Sequence, residues 1–371
     1  MRKILFILGT RPEAIKLAPV ILAMRETGDL RPVVCNTEQQ KQLSNQTLGY
    51  FGIEPNYRLD VMTENQSLPG LNAKLLVSLQ EIIGKNKFDA VIVQGDTMSV
   101  FAGATAAFYS RIPVFHVEAG LRSYDLHEPF PEEALRQMTS RITDLHFAPT
   151  ENAVASLRNE GVPAAKIRLT TNTVIDALFR IPETTTEGAR TNLAAKGIDL
   201  AAHPVLVTAH RRENHGERLN RIVVAISMLV EKYPTRQFVI PVHPNPNVKS
   251  VVISGLSKYP NVHLSAPLDY PELVEVQRAA HLILTDSGGI QEEAPSFGVP
   301  VLVMRYETER QEGVEAGCAK LVGADSEKIV EEAVKILSRS YVETRLDAKK
   351  NPYGDGRAAE RIIEAIQEYF R

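Results

Sequence analysis

The chain has few of the residue patterns that signal a metal or a disulfide. Its two cysteines, Cys35 and Cys318, lie far apart, with no C-x-x-C pair and no cysteine–histidine metal spacing. A reducing, cytoplasmic setting is therefore expected, with both thiols packed as small apolar side chains. Neither Asp-x-Asp nor His-Glu-x-x-His occurs, so metal-dependent chemistry has no visible ligand set. An excess of one charge is missing too. A formal net charge of −3 over 371 residues supplies no basic field for nucleic acid or an anionic membrane. Any anionic ligand must then be met by local cations. The apolar run after Met1-Arg2-Lys3 is broken by Gly9, which makes it too short for a signal segment or a membrane span. Low-complexity tracts and short solenoid repeats are absent. The only G-x-G-x-x-A match begins at Gly354 and follows Asn351-Pro352-Tyr353 rather than a strand, so it is not a dinucleotide fingerprint. No cofactor is expected.

What the chain does have is an ordinary globular composition, 44% hydrophobic and 23% charged, at a length that exceeds a single core. Short β-branched runs alternate with helix-length amphipathic segments. In the first half they fall at 4–8, 32–35, 90–93, 113–117, 145–148 and 167–169. In the second half they fall at 205–207, 238–242, 262–264, 282–284, 301–304 and 320–322. This alternation predicts right-handed βαβ units and parallel sheets covered on both faces. The expected organisation is a first domain over 1–174, a polar hinge over 175–202, a second domain over 203–350 and a C-terminal segment over 351–371. Ligands of such sheets bind beyond the carboxyl ends of the strands, so two such domains would share a cleft.

The chemistry-bearing residues fall at those strand ends. In Asp286-Ser287-Gly288-Gly289-Ile290-Gln291-Glu292-Glu293-Ala294-Pro295, a serine and two glycines open a helix that Pro300 would stop. Uncovered amides at the positive end of a helix dipole suit a phosphate or pyrophosphate. Glu293, about one turn further, could meet a ribose diol. After the first strand, Gly9-Thr10-Arg11-Pro12-Glu13-Ala14-Ile15-Lys16 brings Arg11 and Lys16 to the same mouth, with Pro12 suited to the first helical position. Gln94-Gly95-Asp96-Thr97 and His116-Val117-Glu118-Ala119-Gly120-Leu121-Arg122 follow later strands. Pro129-Phe130-Pro131-Glu132-Glu133 opens a helix with Arg136 one turn on. Three carboxylates, Asp96, Glu118 and Glu132, are the kind of set that removes and returns a proton. His210-Arg211-Arg212-Glu213-Asn214, His243, Arg305 and Arg310 add cations and a possible acid in the second half. Turn caps, first-turn acids and surface ion pairs are the plainer readings of these residues taken singly.

Taken together and in order, these motifs, with Asn172-Thr173-Val174-Ile175-Asp176-Ala177 and Asn351-Pro352-Tyr353-Gly354-Asp355-Gly356, resemble the non-hydrolysing bacterial UDP-N-acetylglucosamine 2-epimerases. The resemblance runs from residue 3 to about 370. It implies an α/β, GT-B-like fold: two Rossmann-like domains with parallel sheets facing across a cleft, and a final helix crossing back to the first domain. It also implies a cytoplasmic homodimer that interconverts UDP-N-acetylglucosamine and UDP-N-acetylmannosamine by elimination of UDP and re-addition through 2-acetamidoglucal. Carried over by position, the substrate-binding residues are Arg11, Lys16, Asp96, Glu118, Arg136, His210, Ser287, Gly288, Gly289, Glu293 and Arg310. The acid/base set is Asp96, Glu118 and Glu132, with His210 beside the diphosphate.

The chain departs from the family pattern at three places. Gln39-Gln40 stands where a Gln-His pair is usual. A second, activating UDP-sugar would meet Gln39, Gln42, Gln66, Glu132, Arg211 and His243, but Asn65 replaces an arginine there. Ser123-Tyr124-Asp125 replaces a smaller Thr-Gly pair beside the expected sugar pocket, leaving room for a related UDP-diacetamido sugar. A GT-B glycosyltransferase, a hydrolysing relative and a non-catalytic nucleotide-sugar sensor are the alternatives.

Overall fold

The structure, a computed structural model, describes residues 1–63 and 66–371. The chain divides into two compact units, one of residues 1–180 with 354–371, the other of residues 181–353. The first holds a seven-stranded sheet: β1 (Arg2–Leu8), β2 (Leu30–Asn36), β3 (Tyr57–Arg58), β4 (Ala90–Gln94), β5 (Val114–Val117), β6 (Leu145–Ala148) and β7 (Ile167–Leu169). The strands lie in the order β3-β2-β1-β4-β5-β6-β7, and every pair is parallel. Parallel strands are buried on both faces, which is why β1 and β4 read as unbroken apolar runs rather than alternating ones. The two-residue edge strand β3 is too short to leave such a signal in the sequence.

The second unit has six parallel strands: β8 (Val205–Thr208), β9 (Phe238–Pro241), β10 (Val262–Ser265), β11 (Leu282–Thr285), β12 (Val301–Val303) and β13 (Ala319–Leu321). Their order is β10-β9-β8-β11-β12-β13. Strand order reverses between β1 and β4 in one sheet and between β8 and β11 in the other. At such a reversal the flanking crossovers leave on opposite faces and open a crevice past the strand ends. Most of the chemistry-bearing motifs follow these four strands and β5, while His243 follows β9 and Arg305 and Arg310 follow β12.

Two elements differ from the sequence reading. Residues 183–188, expected in a polar hinge, belong to the helix Glu183–Ala195, whose Thr186, Ala189 and Leu193 form a buried stripe. Spacings of three and four put those residues on one face, and that face packs on the helix Tyr270–Ala279. The helix after β11 was expected to run to Pro300. It spans only Gly288–Glu293 and tightens into a 3₁₀ turn, Ala294–Phe297, ended by Gly298 at φ 65°. Pro295 has no N–H to continue the α-helical ladder. The final helix, Ala358–Tyr369, packs in the first unit on Arg11–Arg25 and Thr173–Arg180. Its first amides are capped there, Ala358 and Ala359 donating to the buried Asp176 carboxylate at 3.1 and 2.8 Å. Among the described residues, no helix is long and apolar enough to cross a membrane.

Candidate functional site

In the first unit the loop after β1 is shaped by a glycine and a buried acid. A Cβ at Gly9 would lie 2.0 Å from Thr37 Oγ1, so only glycine lets β1 leave the sheet against β2. The Glu13 carboxylate then accepts from the Gly9 and Thr10 amides at 2.6 and 3.1 Å and from the Thr97 hydroxyl, binding the exits of β1 and β4 together. Burial pushes its pKa up, which those bonds only partly counter. Glu13 does more than complement a dipole. The Arg11 amide donates to Gln40 Oε1 at 3.1 Å, so the glutamine at the departure from the family pattern covers the start of this helix. The Arg11 side chain is exposed.

One helical turn on from Pro12, Lys16 forms an ion pair with Glu118. The Gln94 amide donates to the other oxygen of the same carboxylate. Glu118 has a left-handed backbone, φ 62°. That conformation costs a residue with a Cβ roughly 1–2 kcal/mol and is found most often where function requires it. Gly95 beside it has φ 84°, a left-handed backbone that favours glycine. His116, buried beneath, contacts the Gly95 carbonyl at 2.7 Å. Burial is the chief cause of its pKa falling to about 4, so the ring is neutral at pH 7 and donates to that carbonyl.

Asp96 follows Gly95 directly and meets the Arg136 guanidinium at 2.6 Å. Arg136 lies one turn after Glu132 on the helix Glu132–Arg141, so Glu132 shares the face that reaches Asp96. Glu132 is half-buried. The structure thus brings Asp96, Glu118 and Arg136 around Gly95, with Glu132 on the adjoining turn. Its neighbour Glu133, which the sequence reading passed over, is fully buried. It accepts from the Ser123 and Tyr124 amides at 3.0 and 3.2 Å and from Gln137 at 2.7 Å, and lies 3.5 Å from Arg136. Burial alone would raise its pKa. The bonds from Ser123 and Gln137 and the Arg136 charge outweigh that and hold it below the usual carboxylate range. The three-residue step from Glu133 to Arg136 was the available signal.

The second unit uses its central acid differently. Asp286, wholly buried, accepts from the His210 amide at 2.9 Å, the Arg211 amide at 2.9 Å and the Asn214 side chain at 3.0 Å. His210 Nδ1 lies 3.2 Å from the same carboxylate, which orients the ring. His243 stacks on it with centroids 5.6 Å apart. The Ser287 amide donates to Thr285 Oγ1 at 2.9 Å, while those of Gly288 and Gly289 belong to the first turn, where a helix offers no internal partner. Arg310 lies over Gly288, its Cζ 3.2 Å from where a Cβ would be, and pairs with Glu292 at 2.9 Å. Glu293 is nearly buried and accepts from Gln277 at 2.7 Å. Arg305 instead pairs with Glu213 at 2.6 Å and Glu309 at 3.0 Å.

Of the residues read as a second sugar-nucleotide site, Gln39 accepts from Ser99 at 2.8 Å and Gln42 is exposed. Gln66 accepts from the Thr63 amide at 3.2 Å, and the buried Nε of Arg211 has no hydrogen-bond partner among the described residues. Asn65 lies outside the described residues. Among the described residues, no cluster of histidine, cysteine or acid side chains could hold a metal ion.

Comparison with known proteins agrees with the motifs. Residues 22–367 match the family described as UDP-N-acetylglucosamine 2-epimerase. The chain is 45% identical to the UDP-N-acetylglucosamine 2-epimerase of Neisseria meningitidis, over 98% of this chain and 99% of that protein. A crystal structure of the UDP-GlcNAc 2-epimerase from Neisseria meningitidis bound to UDP-GlcNAc superposes with a TM-score of 0.88 at 45% identity, covering 99% of this chain and all 100% of that one. MurG of Acinetobacter baumannii, 16% identical with a TM-score of 0.59 and coverage of 99% and 100%, shares the fold alone. With its two Rossmann-like sheets of the GT-B kind, the chain belongs to the UDP-N-acetylglucosamine 2-epimerase family.

Proposed function

We propose that this chain interconverts UDP-N-acetylglucosamine and UDP-N-acetylmannosamine without hydrolysis, by anti-elimination and re-addition of UDP. The observation that carries the reading is the group around Gly95: Glu118, in a left-handed backbone, held by Lys16 and Gln94, and Asp96 held by Arg136. The C2 proton of the sugar is not adjacent to a carbonyl, so its removal alone gives no stabilised carbanion. Elimination solves this. The C2–H pair becomes the C1=C2 double bond of 2-acetamidoglucal while the C1–O pair leaves with UDP. Re-addition of UDP at C1 with a proton delivered to the other face of C2 completes the inversion. One group must therefore take a proton and another must give one, roles that fall to Asp96, Glu118 and Glu132. Arg136 holds the Asp96 carboxylate in place, and Lys16 holds that of Glu118.

The leaving diphosphate needs anion stabilisation. That role falls to Ser287, the Gly288 and Gly289 amides, His210 oriented by Asp286, Arg11 and Arg310, and Glu293 serves the ribose. The enzyme works in the cytoplasm as a homodimer. The exposed Val77, Phe108 and Tyr109, on the packed helices Leu68–Lys85 and Met98–Tyr109, support an association surface, which sedimentation can check. UDP-N-acetylglucosamine incubated with the protein in D2O and followed by NMR tests the reaction. UDP-N-acetylmannosamine with deuterium at C2, and exchange into both epimers at equilibrium, is the expected outcome. Free N-acetylmannosamine as the first product would overturn it.

A further inference from the structure

The Asn351-Pro352-Tyr353 segment has no part in the reaction as described, yet its side chains hydrogen-bond the backbones of both partners of one ion pair. Arg310, which lies over Gly288, is paired with Glu292. The Asn351 side-chain amide donates to the Glu292 carbonyl at 3.4 Å and to Ser296 Oγ at 2.7 Å. The Tyr353 hydroxyl donates to the Arg310 carbonyl at 3.1 Å and accepts from the Gly313 amide at 3.0 Å. Asn351 Oδ1 in turn accepts from the Tyr353 amide at 3.0 Å, which locks the two residues into one unit. The backbones of both partners of the ion pair are thus tied to the same three-residue segment.

We infer that Asn351 and Tyr353 are positioning residues that set the Arg310 guanidinium against the Gly288 turn, where it meets the diphosphate. The inference rests on the reading that the diphosphate binds there. A long side chain aims its charge no better than its own backbone is held. The loop carrying Arg310 is also anchored at Thr308, whose hydroxyl donates to Gln291 at 2.8 Å and accepts from the Arg310 amide at 3.1 Å. Tyr353 supplies the second anchor, on the carbonyl side of the same residue. Gly313 is part of the device, since a Cβ there would lie 2.8 Å from the Tyr353 hydroxyl.

A double-mutant cycle read by UDP titration calorimetry tests this. Tyr353→Phe keeps the ring and removes both hydroxyl bonds. It should weaken UDP binding about tenfold, the scale of two net hydrogen bonds. KM should rise in step while kcat changes less than about threefold. In an Arg310→Ala background the same change should have almost no further effect, whereas a merely structural role would weaken binding equally in both backgrounds. Gly313→Ala, which displaces the hydroxyl from the other side, should reproduce the loss with Tyr353 intact. If Arg310→Ala weakens UDP binding but Tyr353→Phe does not, or if the two effects add, the positioning role falls and the diphosphate reading stands. If Arg310→Ala binds UDP like the parent protein, both fall.

Discussion

The two sheet reversals have the same topology but treat the aspartate that follows β4 and the one that follows β11 in opposite ways. At the β1/β4 edge, Asp96 and Glu118 are partly accessible, and each is held by the end of a long cationic side chain. At the β8/β11 edge, Asp286 is fully buried and spends its oxygens on two main-chain amides and an asparagine. An acid bonded to backbone amides is a structural joint, since moving its proton would strand donors that cannot follow. An acid held by a flexible cation can exchange that partner for a substrate. The same residue type at the same topological position is thus held by an exchangeable cation in one unit and by backbone amides in the other, and it is the first that the proposed reaction uses.

That contrast can be broken experimentally. The largest effect should come from Asp96→Asn, Glu118→Gln and Glu132→Gln, each lowering turnover at least about 100-fold, the scale of a lost general acid or base. UDP affinity should stay within about threefold, and near-normal turnover in all three would remove the acid/base assignment. Next comes stability. Asp286→Ala strands three donors and should cost about 2–3 kcal/mol in urea unfolding. Asp96→Ala, which removes a partly exposed ion pair, should cost less than about 1 kcal/mol. Equal costs would erase the distinction between joint and tool.

The smallest effect is a pH slope. Burial depresses the His116 pKa from 6.5 to about 4, so the unfolded chain binds the proton more readily. Stability should therefore be complete above pH 6.5 and fall as the pH drops towards 4. His116→Gln, whatever its absolute cost, should flatten that slope in urea midpoints measured across the window. An unchanged slope would mean that the ring is not held neutral beneath Gly95.

Much of this was legible in the chain itself. Short, mostly apolar runs marked every strand except the two-residue β3, and they are least broken in the central β4, β8 and β11, which are buried on both faces. Glycines and small residues at the strand ends marked where a ligand could approach. Glu133 was hidden because a paired Glu-Glu at a helix start reads as two dipole-complementing acids. Only the fold turns the second inward, onto the Ser123 and Tyr124 amides. The helix Glu183–Ala195 was hidden because its polar surface outweighs a narrow buried stripe of Thr186, Ala189 and Leu193.

Composition and order along the chain determined the class of fold, the family and the list of chemically able side chains, because periodicity and motif spacing are local properties. The tertiary structure decided which cation each acid would face. Lys16 reaches Glu118 across 102 positions, Arg136 reaches Asp96 across 40, and Tyr353 holds the carbonyl of Arg310 across 43. No local pattern encodes such pairs. They form only when β4 and β5 are laid beside β1, and when the segment after Lys350 returns to the loop of Arg310. A side chain's role depends on the charge and burial around it, and packing alone supplies both.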